Sequence, residues 1–225
     1  MPHDFELSTE YVERAITRQG RAHSVDRLVG PSTALLAVDM QRYFMETPFA
    51  GACPVAQEVV PNVNRLAEAV RGAGGSVVWL QMKAPSEKGD WSALRDRFST
   101  AAAETRWGQL GVEGRGFELW PDLDVRPADL RIVKNRYSAF IPGSSELDEV
   151  LRQRNIDTLL VAGVATNVCC ESTARDAMML DYRVLMVSDA CAAATDGEHA
   201  ATLGNFYLFF GDVQATKEIV GFLAG

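Results

Sequence analysis

The fold is decided by the stretch Gly163-Val164-Ala165-Thr166-Asn167-Val168-Cys169-Cys170-Glu171-Ser172-Thr173-Ala174-Arg175-Asp176-Ala177. It follows the apolar run Thr158–Ala162, which is typical of a strand buried on both faces of a parallel sheet. After a turn, apolar residues recur at helical spacing, at Cys170, Ala174, Ala177 and Met178. Thr166 or Asn167 is placed to cap this helix. The sequence therefore predicts a strand, a tight turn and a helix, with a cysteine in the first helical turn.

The two adjacent cysteines are separated by helical phase. Cys170 lies on the apolar stripe and is predicted to pack in the core. Cys169 lies on another face with Thr173 and Asp176, so it is the candidate nucleophile. A helix N-terminus favours the thiolate over the thiol, which would lower the pKa of Cys169. The alternative is a cysteine that is merely packed, since free cysteines are commonly buried.

Composition bounds the class of protein. The chain has 225 residues, 47% of them hydrophobic, and a net charge of -8. One domain is the default at this length. The dispersed acidic residues argue against a nucleic-acid or anionic-membrane partner. No apolar stretch approaches the ~18–20 residues of a membrane span, and the acidic N-terminus lacks the pattern of a secretory signal. Four cysteines, two of them adjacent, do not form a disulfide framework, so we expect a cytoplasmic protein.

Along the chain, apolar runs alternate with helical patterns. Residues 1–30 are predicted to be an N-terminal arm with a helix at Thr9–Gln19, and residues 31–225 a single domain. The predicted strands are Ala34–Val38, Ser76–Gln81, Leu130–Val133, Thr158–Ala162, Arg183–Val187 and Val213–Ala215. The predicted helices are Val55–Arg71, Leu94–Glu104, Glu146–Arg154, Glu198–Phe209 and a closing helix through Leu223, and residues 83–130 form a lid or binding loop. This order predicts an α/β fold of three layers, α/β/α, around a six-stranded, mainly parallel sheet.

Three chemically reactive residues end strands of this sheet. Asp39 follows the first strand, Lys134 ends the third, and Cys169 follows the fourth. Ligands of open α/β sheets bind beyond the carboxyl ends of the strands, where these residues would meet. Asp39 can take the thiol proton, Lys134 can stabilise the anions, and Cys169 can attack a carbonyl. Amide N–H groups of the turn would receive the oxyanion.

Three motifs in the same order resemble a known family. They are Ala37-Val38-Asp39-Met40-Gln41, Lys134-Asn135-Arg136-Tyr137-Ser138-Ala139-Phe140 and Gly163-Val164-Ala165-Thr166-Asn167-Val168-Cys169. They are similar to those of the isochorismatase-like cysteine hydrolases, a superfamily that includes nicotinamidases, N-carbamoylsarcosine amidases and ureidoacrylate amidohydrolases. The likeness runs from about Pro31 to the C-terminus and is closest to the ureidoacrylate and N-carbamoylsarcosine types.

The resemblance implies a Rossmann-like fold and a set of site residues. It implies a catalytic triad of Asp39, Lys134 and Cys169, a cis peptide between Val164 and Ala165, and an oxyanion hole from the N–H groups of Ala165 and Cys169. Metal-binding relatives carry histidines after the second strand, where this chain has Gln81-Met82-Lys83-Ala84, so we expect no metal and no cofactor. A homodimer or homotetramer is expected.

Further residues are candidates for the substrate pocket. They are Gln41, Phe44, Trp91, Arg136, Tyr137 and Thr166. The alternative to a pocket role is a structural role in a turn for Gln41 and core packing for the three aromatic residues. Arg136 would meet a substrate carboxylate or pair with a surface acid. His199 is predicted to be structural, and Asp189 to cap the turn after the fifth strand.

The predicted function is hydrolysis of a C–N bond in a small amide, ureido or carbamoyl compound. Ammonia or an amine leaves, and an acyl-enzyme forms on Cys169. One rival is vinyl-ether hydrolysis of the isochorismatase type, with Asp39 as the acid and Cys169 idle. The other is a protein that binds a small molecule without turning it over.

Overall fold

The structure, a computed structural model, describes residues 3–84 and 91–224. Its described strands are β1 (Thr33–Val38), β2 (Ser76–Met82), β3 (Leu130–Lys134), β4 (Thr158–Val164), β5 (Arg183–Ala192) and β6 (Asp212–Gln214). They form one sheet in the order β3-β2-β1-β4-β5-β6, and every neighbouring pair is parallel. Every residue of β1 and β4 is buried, as their apolar runs predict.

Helices cover both faces of the sheet. They are α1 (Thr9–Gln19), α2 (Arg42–Met45), α3 (Val60–Gly72), α4 (Ser92–Arg95), α5 (Thr100–Gln109), α6 (Leu147–Gln153), α7 (Glu171–Met179), α8 (Asp196–Phe209) and α9 (Thr216–Ala224). One core packs α3 and α9 on the side chains of Leu35 and Ala37, and the other packs α1, α6, α7 and α8 on those of Leu36 and Val38. The predicted three-layer fold is confirmed.

Several predicted boundaries are wrong for local reasons. The helix predicted at Leu94–Glu104 is two helices, because Ser99 adopts an extended conformation and its hydroxyl accepts from the N–H of Ala102 to begin α5. Strand β5 continues five residues beyond its predicted end. Asp189 therefore lies inside a strand, and its carboxylate accepts hydrogen bonds from the backbone and hydroxyl of Thr216, at the start of α9.

The N-terminal arm packs on the body of the molecule. Helix α1 begins and ends where predicted, capped by Ser8 and by Gly20 in the left-handed conformation. Its Tyr11 ring lies against Gly204 of α8, where a Cβ atom would approach Tyr11 Cε2 to 2.4 Å. In the described ranges, no helix is both long and apolar enough to cross a membrane. The division into an arm and one domain stays a prediction.

One glycine brings the two central strands close together at their carboxyl ends. Gly163 pairs with Val38 in the register of β1 and β4 and has a φ of 113°. A Cβ atom there would lie 2.2 Å from the backbone oxygen of Val38. A side chain at position 163 is therefore excluded both by the backbone conformation and by the neighbouring strand. This contact fixes the spacing between Asp39 and the turn that carries Cys169.

We expect Gly163→Ala to lower the free energy of unfolding by at least ~3 kcal/mol, because it combines a strained φ with a backbone clash. Gly221→Ala is the matched control: it lies on an exposed face of α9 with nothing within 4 Å of its Cβ position. The control should be neutral or stabilising by up to ~1 kcal/mol. Chemical denaturation measures both, and equal midpoints would contradict the account of this contact.

Candidate active site

The site lies where the strand order reverses. From β1 the chain moves outward through β2 to β3, and from β4 it moves the opposite way through β5 to β6. The crevice between the carboxyl ends of β1 and β4 is therefore the switch point of the sheet, the usual ligand site of such folds. Asp39 follows β1 there, and Cys169 follows β4. Lys134 reaches the same place from β3.

A buried ion pair forms the floor of the site. Lys134 Nζ lies 2.8 Å from Asp39 Oδ2, and both side chains are fully buried. The ammonium also donates to the carbonyl of Arg136 at 3.2 Å and lies 3.6 Å from Met82 Sδ. Asp39 Oδ1 is buried and has no well-aligned hydrogen-bond partner among the described residues. That oxygen is therefore available to accept a proton.

Cys169 lies in a single π-helical turn, Thr166–Cys170, that leads into α7. The Cys169 side chain is 4% exposed, whereas Cys170 is completely buried and contacts the thiol of Cys191 in the core. The predicted separation of the two cysteines is therefore consistent with the structure. The predicted cap is wrong. Ala165 occupies the cap position, with no side-chain hydrogen bond.

The backbone of this turn has the predicted cis peptide between Val164 and Ala165. The N–H groups of Val168 and Cys170 donate to the carbonyl of Ala165 at 3.1 and 3.2 Å. These bonds close the turn around that carbonyl. The oxyanion hole from the N–H groups of Ala165 and Cys169 stays a prediction.

Electrostatics decide the resting protonation of the site. Burial, followed by the negative charge of Asp39, raises the pKa of the Cys169 thiol far above its ordinary value, and Lys134 opposes that rise. Burial also raises the pKa of Asp39, and the positive charge of Lys134 again opposes the rise. Burial alone would lower the pKa of Lys134, but the charges of Asp39 and Cys169 raise it overall. The overall direction is opposite to the lowering expected from the helix start, because burial and the Asp39 charge dominate the pKa of Cys169. The cysteine rests as a thiol and needs a base.

Three of the predicted pocket residues come together, and the carbonyl of one of them, Arg136, contacts Lys134. The ring of Trp91 meets that of Tyr137 edge to face at 4.8 Å, and the guanidinium of Arg136 lies 5.2 Å from the centre of the Trp91 ring. These residues line a cavity of about 450 Å³ with Ser172 and Met179. Burial raises the pKa of the Tyr137 hydroxyl. Asp39, Lys134 and Cys169 do not line this cavity, which is joined to them through the carbonyl of Arg136, the acceptor of a 3.2 Å hydrogen bond from Lys134 Nζ. Residues 85–90 of the predicted lid lie outside the described residues.

The other three predicted pocket residues have different contacts. The Gln41 amide donates to the carbonyls of Met82 and Phe117 and accepts from the N–H of Met82. These contacts fit the structural role that was the alternative for Gln41. Phe44 packs edge to face on Tyr43 in an apolar cluster. Thr166 is fully buried, and its hydroxyl bonds to Nδ1 of His199 at 2.9 Å.

Arg106 is a neighbour of the site that the sequence analysis missed. It lies on α5, where its Nη1 donates to the hydroxyl of Tyr43 at 3.2 Å and its guanidinium carbon lies 5.2 Å from the centre of that ring. Burial raises the pKa values of Asp39 and Tyr137, and the positive charge of Arg106 opposes both rises. The segment that carries it has no periodicity that would single out one arginine among several.

The chain matches the model of the isochorismatase domain over residues 33–218. The chain therefore belongs to the isochorismatase family. A ureidoacrylate amidohydrolase of Caulobacter vibrioides is 33% identical over 210 residues, which cover 84% of this chain and 90% of that protein. The predicted family is thus confirmed.

Two solved structures are similar to this fold. A cysteine hydrolase from Pseudomonas syringae pv. phaseolicola is 29% identical with a TM-score of 0.80, covering 88% of this chain and 95% of that one. An N-carbamoylsarcosine amidase from Thermoplasma acidophilum is 25% identical with a TM-score of 0.68, covering 82% of this chain and 96% of that one.

No group of three or more histidine, cysteine or acidic side chains that suits a metal ion occurs within residues 3–84 and 91–224. His3 and His199 stack on each other, and His23 bonds to Asp212. The described residues thus give this isochorismatase-family site no ligand set for a metal.

We expect Lys134→Met to move the alkylation of Cys169 to higher pH. Without the ammonium, a thiolate beside the Asp39 carboxylate adds a second negative charge that nothing nearby compensates. A shift of one pKa unit lowers the rate at neutral pH about tenfold. Rates of iodoacetamide labelling against pH, mapped by peptide mass spectrometry, measure the change.

The control for charge alone is Lys217→Met, since Lys217 is exposed on α9. It should leave the labelling profile unchanged. Breaking a buried pair also destabilises a protein by about 3–5 kcal/mol, so labelling is done at a temperature where circular dichroism shows both variants folded. Superimposable profiles for Lys134→Met and the parent protein would remove Lys134 from the site chemistry.

Proposed function

We propose that this protein is a cysteine-nucleophile amidohydrolase that cleaves a C–N bond of a small ureido or carbamoyl compound. The observation that carries the proposal is the buried pair of Lys134 and Asp39 at the sheet's switch point, with the Cys169 thiol close enough for both charges to shift its pKa. The family membership and the names of the relatives support hydrolysis of a non-peptide C–N bond. They leave the individual substrate open.

The first half-reaction forms an acyl-enzyme. Asp39 Oδ1 takes the thiol proton as the sulfur attacks the carbonyl carbon, which forms a C–S bond and a tetrahedral oxyanion. Lys134 keeps Asp39 ionised before this step and balances the negative charge during it. The N–H groups of Ala165 and Cys169 receive the oxyanion. The C–N bond then breaks, and the proton held by Asp39 passes to the leaving nitrogen.

The second half-reaction returns the free thiol. Asp39, ionised again, accepts a proton from water as the water oxygen attacks the thioester or thiocarbamate carbon. The C–S bond breaks, and the proton returns to the sulfur. The balance needs one water per turnover and no redox partner. No cofactor enters the proposed mechanism.

The cavity lined by Trp91, Arg136 and Tyr137, which the Arg136 carbonyl links to Lys134, supports a small substrate with one flat and one charged end. The rings of Trp91 and Tyr137 offer an apolar wall for a planar ureido or carbamoyl group. Arg136 is the proposed partner of a carboxylate on the same molecule, since guanidinium groups bind carboxylates in a planar, two-point fashion. The relatives named as ureidoacrylate and N-carbamoylsarcosine hydrolases are similar proteins with substrates of this class.

Two expectations from the sequence belong to the same proposal. The protein is proposed to act in the cytoplasm, because its four cysteines are all free thiols. Free thiols are typical of proteins in a reducing compartment. It is also proposed to act on a small molecule as a homodimer or homotetramer. Vinyl-ether hydrolysis with Asp39 as the acid is the alternative reaction for the same site, and it would release pyruvate rather than ammonia.

We expect Cys169→Ala to abolish turnover and Cys170→Ala to retain most of it. Cys169 contacts the ion pair, while Cys170 packs in the core. Removing the Cys170 side chain should therefore lower the free energy of unfolding but leave the reaction intact. A screen of small amides, ureides and carbamoyl acids for ammonia release supplies the assay. Each variant's melting temperature separates loss of activity from loss of the fold.

Two other results would change the proposal. Pyruvate release from a vinyl ether, unchanged in Cys169→Ala, would replace the proposed reaction with the acid-catalysed one. Iodoacetamide labelling that maps mainly to Cys170 would overturn the choice of nucleophile.

A further inference from the structure

His3 holds a fixed position inside the molecule, ahead of α1. Only 4% of its surface is exposed. The backbone N–H of Ala193 donates to its Nε2 at 3.0 Å, and its Nδ1 lies 2.7 Å from Asp196 Oδ1. Because Nε2 is an acceptor, Nδ1 carries the proton that goes to the carboxylate. Both ring nitrogens are engaged, so the ring has one orientation.

The His3 ring stacks on a second buried histidine. The ring centres of His3 and His199 are 4.2 Å apart with 23° between their planes. The Phe5 ring meets the His199 ring edge to face, with 5.5 Å between their centres. Burial, and then the neighbouring His3, lower the pKa of His199 to about 4. His199 is therefore a neutral ring at physiological pH. The arm residues His3 and Phe5 enclose it.

From His199 the contacts reach the nucleophile's turn. Nδ1 of His199 bonds to the hydroxyl of Thr166 at 2.9 Å, and Thr166 is fully buried. Thr166 is the first residue of the π-helical turn that contains Cys169. A continuous path of packed and hydrogen-bonded groups thus joins the arm to the candidate nucleophile. His3 lies outside the matched isochorismatase domain, which begins at residue 33.

We infer that His3 is a positioning residue for Cys169, acting through His199 and Thr166. The stack fixes the plane of the His199 ring, and that plane directs the bond to Thr166. Without the His3 ring, His199 gains room to rotate and the turn loses its buried anchor. A displacement of about 1 Å at a reacting atom costs about a hundredfold in rate, so a small shift of this turn is enough. The chemical meaning of this role depends on the proposed function, but its test does not.

The test measures the reactivity of the thiol directly. Cys169 is labelled with iodoacetamide at one pH in the parent protein and in His3→Ala, and the rate is read from the Cys169 peptide by mass spectrometry. The buried thiols of Cys170 and Cys191 report any general loosening. Tyr11→Ala is the matched control, because the Tyr11 ring packs on α8 at Gly204, whereas the His199 ring is contacted by His3 and Phe5.

His3→Ala should slow the labelling of Cys169 by at least about fivefold and leave the two buried thiols unlabelled, since a misplaced thiol loses its alignment with Asp39 and Lys134. Tyr11→Ala should lower the melting temperature without this loss. A smaller change in His3→Ala overturns the inference. So does faster labelling of Cys169 together with Cys170, because that is the pattern of a loosened fold.

Thr166→Val tests the far end of the path and stands in if His3→Ala does not fold. It removes the hydroxyl that meets His199 and should slow labelling by a similar factor. In the double variant the losses should not multiply, because both substitutions break the same path. Losses that multiply would mean that His3 and Thr166 act independently. Labelling needs no substrate, so a protein without amidase activity that still shows these effects would overturn only the proposed function.

Discussion

The buried ion pair between Lys134 and Asp39 is the interaction on which the rest of the site depends. Taking two charges out of water costs several kcal/mol for each, and their attraction repays this only with close geometry and further hydrogen bonds. Lys134 has both, with a 2.8 Å contact to Asp39 and a bond to the carbonyl of Arg136. Replacing a buried ion pair by apolar side chains of similar volume is often neutral or stabilising for the folded state. The chemistry proposed for Cys169 gives the charged pair a function.

The pair also explains how a buried thiol can react. Burial and the Asp39 charge keep Cys169 protonated, so the site stores no thiolate. The proposed proton acceptor is the neighbouring Asp39. Burial raises the pKa of Asp39, and Lys134 opposes that rise. A base with a raised pKa is a better proton acceptor than an exposed carboxylate. Desolvation thus disfavours the free thiolate of Cys169, but it also makes the neighbouring Asp39 a stronger base for the thiol proton.

The fold delivers these groups through its backbone constraints. Strands β1 and β4 are neighbours, and Gly163 allows the close approach that sets Asp39 opposite the turn of Cys169. The turn has an anchor on its other side, where the hydroxyl of Thr166 meets His199. The candidate nucleophile is therefore held between the sheet and the packing of α8 with the arm.

Sequence reasoning recovered the parts of this arrangement that depend on pattern. Unbroken apolar runs revealed the buried strands. Residues that end strands of a parallel sheet share one edge, so Asp39, Lys134 and Cys169 were predicted to lie together, as they do in the structure. Their catalytic roles stay a prediction. The orientation of single polar side chains was not recoverable. Gln41 and Thr166 were expected in the pocket, but each is used by partners distant in sequence, namely Met82, Phe117 and His199. Arg106 was missed because only the packing of α5 on Tyr43 brings it near the site. The pKa of Cys169 depends on burial, which local sequence does not reveal.

The most direct test of the account is to look for the covalent intermediate. The protein is mixed with a carbamoyl or ureido substrate identified by ammonia release, quenched in acid during the first turnover, and analysed by mass spectrometry of its peptides. The account predicts a transient mass increase equal to the acyl group, confined to the peptide of Cys169 and absent in Cys169→Ala. Product formed in a single turnover while Cys169 stays unmodified at every quench time, or an adduct on another residue, would contradict it.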